Sequence, residues 1–170
     1  VSWSGYTSLS GGMGTEFVFD NNHGVVANNG ALMISLALMD KYPTECSWIA
    51  SQAIKGMELN IDKWKTEMWY EGASYWELTM MHTVKFLDVL DGVLGTDFGM
   101  SNLEGLSKSA EAEILFHAPR GIYNFGDANR SEFYVPELFW LDNRYGDGSI
   151  SHYMGLDITY KYGMRGDAQW

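Results

Sequence analysis

Apolar residues fall along this chain in long helical stretches, with no short alternating runs of the kind that mark strands. Between 25 and 42 they occupy almost every side of a helix, with Val25, Val26, Leu32, Met33, Ile34, Leu36, Leu38 and Met39, as expected of a helix enclosed by others. Pro43 ends that stretch, because its ring disfavours helical geometry in the residue before it. From 44 to 64 the pattern turns amphipathic. Cys46, Ile49, Ala53, Met57 and Ile61 form one stripe, and Glu45, Gln52, Lys55 and Asn60 lie elsewhere.

The same alternation repeats downstream. A helix over 73–94 is apolar on most faces, with Glu77, Lys85, Asp88 and Asp91 as its polar edge. One over 103–116 is amphipathic again, with Leu103, Leu106, Ala110 and Ile114 on one side. Enclosed and half-exposed helices in turn predict a toroid or solenoid, in which inner helices line an axis and outer helices cover them. A loop over 118–131 precedes two more helical stretches, 132–144 and 149–162, the first with Pro136 near its start, where proline is tolerated. The opening segment 1–14 is rich in Ser and Gly and predicts irregular structure. No strand pair is predicted. The expected fold is all-α: a partial (α/α) toroid of antiparallel helix pairs with long irregular loops.

Length and composition fit one domain over 1–170, since 170 residues at 46% hydrophobic can bury a sizeable core. The single cysteine, Cys46, excludes an internal disulfide and a thiolate metal cluster. The longest apolar run, 31–39, is far short of the roughly 20 residues that span a bilayer, so no membrane partner is expected. The chain opens at Val1 with no charged and apolar leader pattern, which predicts that a signal peptide is removed or was not included. A net charge of −11 argues against nucleic acid as a partner and sits uneasily with an acidic polymer. Screening over a Debye length of about 8 Å makes the local cleft decisive. His117, Arg120 and Arg130 bracket a stretch whose only acid is Asp127, a locally basic place for the carboxylate or sulfate groups of a substrate.

The aromatic share of 15% is concentrated where it changes the picture. Trp69-Tyr70-Glu71-Gly72-Ala73-Ser74-Tyr75-Trp76 sets four rings, a carboxylate and a glycine at the mouth of an apolar helix. Flat rings stack on pyranose faces, and hydroxyl and carboxyl groups carry proton chemistry. Trp69, Tyr70, Glu71 and Trp76 are therefore candidate sugar-binding residues. Upstream lies Asp20-Asn21-Asn22-His23-Gly24, and downstream lie Gly92-Val93-Leu94-Gly95-Thr96-Asp97-Phe98-Gly99 and Pro119-Arg120-Gly121-Ile122-Tyr123-Asn124-Phe125-Gly126-Asp127-Ala128.

In that order these four segments resemble the heparinase II/III-like polysaccharide lyases. The resemblance implies the later part of an α/α toroid, with the family's remaining toroid and its C-terminal β-sandwich domain absent from this chain. It implies a periplasmic or secreted lyase that needs no cofactor and no metal, acting on an acidic polysaccharide or oligosaccharide by β-elimination at a uronic acid. Asn22 and His23 match the turn that neutralises the uronate carboxylate, and Tyr75 matches the tyrosine that protonates the departing oxygen and in some members also takes the C5 proton. Further catalytic groups, a histidine and often a second tyrosine, come from downstream regions in the family.

Each residue also has a plainer role open to it. Asn21-Asn22-His23-Gly24 suits a turn and helix cap, Tyr75 suits a core, and Glu71 suits the first turn of a helix, where the dipole favours an acid. His82, two turns after Tyr75, suits packing, and His152 has no companion motif. A glycoside hydrolase would need two carboxylates across the scissile bond, with Glu71 and Asp127 the available pair. A non-catalytic glycan-binding module needs only the rings.

Overall fold

The computed structural model describes residues 21–66, 69–118, 121–123, 125–128, 136–146 and 148–162, and over these residues the fold is all-α. Its helices are α1 (Asn22–Leu38), α2 (Pro43–Ile61), α3 (Ala73–Leu94), α4 (Glu104–Leu115), α5 (Glu137–Tyr145) and α6 (Ser149–Tyr162). Short 3-10 turns at Asp62–Thr66 and Met100–Asn102 link α2 to its successor loop and α3 to α4.

Local chemistry explains the boundaries. α1 starts earlier than its apolar pattern because Asn21 caps it, the side-chain oxygen accepting from the His23 N–H. Pro43 is the first residue of α2, a position where its missing N–H costs nothing. α3 runs from Ala73 to Leu94, as its periodicity predicts, and stops at Gly95, whose φ of 71° lets its N–H close on the Asp91 carbonyl at 2.9 Å. α5 is described from Glu137, after Pro136, and the predicted helical positions 132–135 lie outside the described residues. One antiparallel contact was not foreseen: β1 (His117–Ala118) pairs with β2 (Gly121–Ile122). Two residues per strand are too few to leave a periodic signature.

α1 lies between α2 and α3 and packs on both, while α4 packs on the turn after α2, and α5 on α3, α4 and α6. Val25 and Leu32 of α1 meet Ala53, Met57 and Ile61 of α2 and Trp76, Met80, Leu87 and Leu90 of α3 in one core. Each fully buried Leu, Met or Phe side chain contributes roughly 1.5–3 kcal/mol. α4 reaches that core because Gly105 sits against the backbone of Trp64, whose carbonyl oxygen would be 1.5 Å from any Cβ there.

The buried side of α1 differs from its hydropathy. Asn22, Asn28, Asn29 and Ser35 are buried with Val25 and Leu32, whereas Ile34 and Leu38 are exposed. Thr79, Thr83 and Asn60 of the neighbouring helices are buried as well. Some of this polar layer is satisfied locally: Ser35 donates to the Leu32 carbonyl, Thr79 to that of Tyr75 and Asn60 to that of Gly56. Both side-chain amide atoms of Asn28 lack a partner among the described residues.

Candidate functional site

The Asn-Asn-His segment is a helix start, and every early N–H of that helix is used. His23 N–H donates to Asn21 Oδ1 at 3.0 Å, and those of Gly24 and Val25 donate to the Asn21 carbonyl. Asn22 N–H crosses to a residue far along the chain, the Glu71 carboxylate, at 3.0 Å. The capping role weighed from the sequence is thus real for Asn21, and it leaves Asn22 with a different task.

Glu71 receives two further bonds. Asn22 Nδ2 donates to Oε1 at 3.2 Å, and the Trp69 indole Nε1 donates to Oε2 at 2.6 Å. Hydrogen bonds to a charged acceptor are the short and strong ones, and a carboxylate at a helix N-terminus also gains from the dipole. Oε2 accepts two of these bonds and Oε1 one, so three of the roughly four acceptor sites of the carboxylate are taken by the protein. Residues 49 apart in sequence are joined here by two bonds to one side chain.

Backbone geometry holds that carboxylate in place. Gly72 has φ +103°, and a Cβ on it would stand 2.2 Å from the Phe125 carbonyl oxygen. Gly126 has φ +61°, and a Cβ on it would stand 2.7 Å from the Glu71 carbonyl oxygen, which accepts from the Asp127 N–H at 3.1 Å. Positive φ and missing side chains let two loops press together. Three of the four motif segments therefore meet at one junction, around Asn22, Glu71 and Asp127. The fourth lies at the far end of α3, about 30 Å away for a helix of 22 residues.

Tyr75 is in the first turn of α3, four residues after Glu71, and is half-buried with one side against the core. His23 and Asp127 are exposed, whereas Asn22 is only 4% exposed. The rings divide in two. Trp69 and Trp76, at 1% and 0% exposure, are core residues and offer no face to a sugar. With Trp64 they form a cluster, Trp64 to Trp69 at 5.1 Å and Trp64 to Trp76 edge-on at 6.1 Å, which is the packing that aromatic quadrupoles favour. Their expected place in the cleft is corrected accordingly. Tyr70 is 54% exposed, with Lys63 Nζ over its ring at 5.2 Å. Tyr123, 67% exposed, leans on Phe116.

His117 contributes backbone to β1, and Arg120 and Arg130 of the predicted basic stretch lie outside the described residues. His82 Nδ1 accepts from Asn29 Nδ2 across α1 and α3 at 2.8 Å. Burial, with a smaller effect of the Lys85 charge, pushes its imidazole below the ordinary value. No sequence signal marked Asn29, which acquires its role only through His82, 53 positions along the chain, or Lys63, which acquires its role through the turn that sets Tyr70 under its ammonium.

The Asp97 segment forms a separate cluster. Asp97 accepts from Gly99 N–H at 2.9 Å, from Ser101, and from Arg144 of α5 at 3.1 Å. Burial alone would raise its carboxyl, and the bonds from Ser101 and Gly99 with the Arg144 charge outweigh that and hold it below the ordinary value. Among the described residues no group of three or more His, Cys, Asp or Glu is placed to hold a metal ion, and no helix is long and apolar enough to cross a membrane. No protein-family model and no curated protein matches the chain.

Proposed function

We propose that this chain is part of an α/α-toroid polysaccharide lyase that cleaves a uronic-acid glycan by β-elimination. The observation that carries the proposal is the pair of hydrogen bonds from Asn22 to Glu71, which brings the Asn-His segment to the loop that leads into the Tyr75 helix. The placement of α1 between α2 and α3 supports the toroid.

In this mechanism the C6 carboxylate of the uronate lies against the Asn22 amide and the His23 imidazole. Their N–H groups stabilise the enolate that forms when the C5 proton leaves, as oxyanion donors do. Tyr75 supplies the proton that O4 takes as the glycosidic bond breaks, and the C5 proton goes to a base, which in some schemes is the same phenolate. No water is consumed. Tyr70 offers an exposed ring to the sugar, and His117, Arg120, Asp127 and Arg130 are assigned to substrate binding around the two loops. A secreted or periplasmic setting suits such a polymer.

A panel of uronic-acid polymers offered to the full protein carrying this chain tests the proposal. The expected product is an unsaturated uronate, seen as new ultraviolet absorbance. New reducing ends without that absorbance indicate a hydrolase, and binding without either indicates a glycan-binding module; both results would overturn the proposal.

A further inference from the structure

Glu71 matters to the lyase reading in a way that direct substrate contact does not capture. A carboxylate accepts hydrogen bonds and cannot donate them, so Oε1 can face only the Nδ2 end of the Asn22 amide. Were that amide turned over, Asn22 Oδ1 would stand against a carboxylate oxygen at about the 3.2 Å that Nδ2 now occupies. Asn22 is 4% exposed, leaving little water to relieve two facing acceptors. The other oxygen cannot shift to help, because Oε2 is held by the Asn22 backbone N–H, part of α1, and by the indole of Trp69, part of the core.

We infer that Glu71 is a positioning residue that locks the Asn22 amide in one of its two orientations, so that the second Nδ2 proton is presented in a fixed direction to the uronate carboxylate. This inference rests on the lyase proposal for what that proton does, and on the geometry alone for the lock. It also accounts for a carboxylate standing beside an anion site. Three protein donors share its charge, and its position is fixed by α1 and the Trp69 ring.

Glu71→Gln tests the lock with almost no change of volume. The oxygen of the introduced amide must take the place of Oε2, where two N–H groups converge, so its nitrogen faces Asn22. The Asn22 amide then turns its oxygen toward residue 71 and carries its donor to the opposite edge. Misplacing a catalytic group by about 1 Å can cost on the order of 100-fold in rate. The expected result is a kcat lower by about 10- to 100-fold with KM little changed, and an Asn22 side-chain NH2 signal that loses the downfield shift a carboxylate acceptor gives. A purely structural Glu71 would lower the melting temperature on Glu71→Gln while leaving the kcat of the folded protein and the Asn22 NH2 signal unmoved.

A Glu71→Gln protein that retains full kcat while the wild type is active overturns the inference. If the wild type yields no unsaturated product, the lyase proposal falls and the NMR signal alone judges the lock: an upfield move on Glu71→Gln supports it, and an unmoved signal overturns it. Should Glu71→Gln fail to fold, the wild-type spectrum decides. An Asn22 NH2 resonance at the position of a solvated amide overturns the inference, and a downfield one supports it.

Discussion

Two carboxylates, Glu71 and Asp97, solve the same problem at opposite ends of α3 and end up with different uses. Asp97 bonds residues two and four positions on, Gly99 and Ser101, and then takes a cation, Arg144, tying the α3–α4 connection to α5. Tyr145 adds its hydroxyl to the Ser101 carbonyl at 2.6 Å. Glu71 has only uncharged donors, two of them from Asn22, and no cation among the described residues pairs with it. A carboxylate neutralised by arginine and bonded to its own turn is an anchor. One bonded to amide and indole groups, beside exposed rings, orients a neighbour and leaves room for chemistry.

The sharpest way to break this contrast uses two tyrosines. Tyr75→Phe should lower elimination by about 1000-fold or more, at the upper end of what a proton-transfer group supplies, with substrate affinity kept. Tyr145→Phe should leave kcat unchanged and cost about 1 kcal/mol in urea unfolding, the net value of one hydrogen bond. Equal losses of activity in both variants would erase the distinction between the two ends. Next, Asn22→Ala should reduce kcat by about 100- to 1000-fold, in the range of a lost oxyanion donor; steady-state rates that match the wild type would return Asn22 to a structural role.

Gly72→Ala should destabilise by about 2 kcal/mol or more, because it adds a side chain at φ +103° and 2.2 Å from the Phe125 carbonyl. Thermal melting reads the effect, and an unchanged melting temperature would mean that the two loops are not pressed together. The smallest effect is on pH dependence. Asp97 and Asp142 have folded values held below the ordinary carboxylate range, Asp142 because bonds from Ser151, Gly148 and Ile150 outweigh the rise that burial alone would cause. Their contribution is present above the unfolded value, about 4, and is lost as pH falls below it. His82 works in the same direction at higher pH: its folded value is lowered, so stability declines as pH drops below about 6.5. Urea midpoints that stay flat from neutral pH to pH 3 would contradict these assignments.

The helices were legible where the chain carries both a period and punctuation. α3 begins after Gly72 and ends at Gly95, and its bounds follow from sequence; α1 has no such contrast. Its nearly uniform hydropathy hid that Asn28, Asn29 and Ser35 turn inward while Ile34 and Leu38 turn out, because the register is set by the Asn21 cap and by Asn22 binding Glu71. The aromatic segment was legible as unusual, but not in its division. Trp69 differs from Tyr70 only in which way the loop turns, and that depends on Gly126 and Phe125, more than fifty positions later, whereas Trp76 is turned inward by its face of α3. The bond between Asn22 and Glu71 left no local trace, since either residue alone suits a helix start.

The central claim is that Asn22, His23 and Tyr75 act together on a uronate whose glycosidic bond breaks without water. Mass spectrometry of products formed in heavy-oxygen water tests it most directly. Elimination predicts that each cut leaves one fragment with an unsaturated end, lighter by one water than its hydrolytic counterpart, and that bond breaking adds no solvent oxygen to either fragment. Heavy oxygen incorporated at each new reducing end would contradict the account.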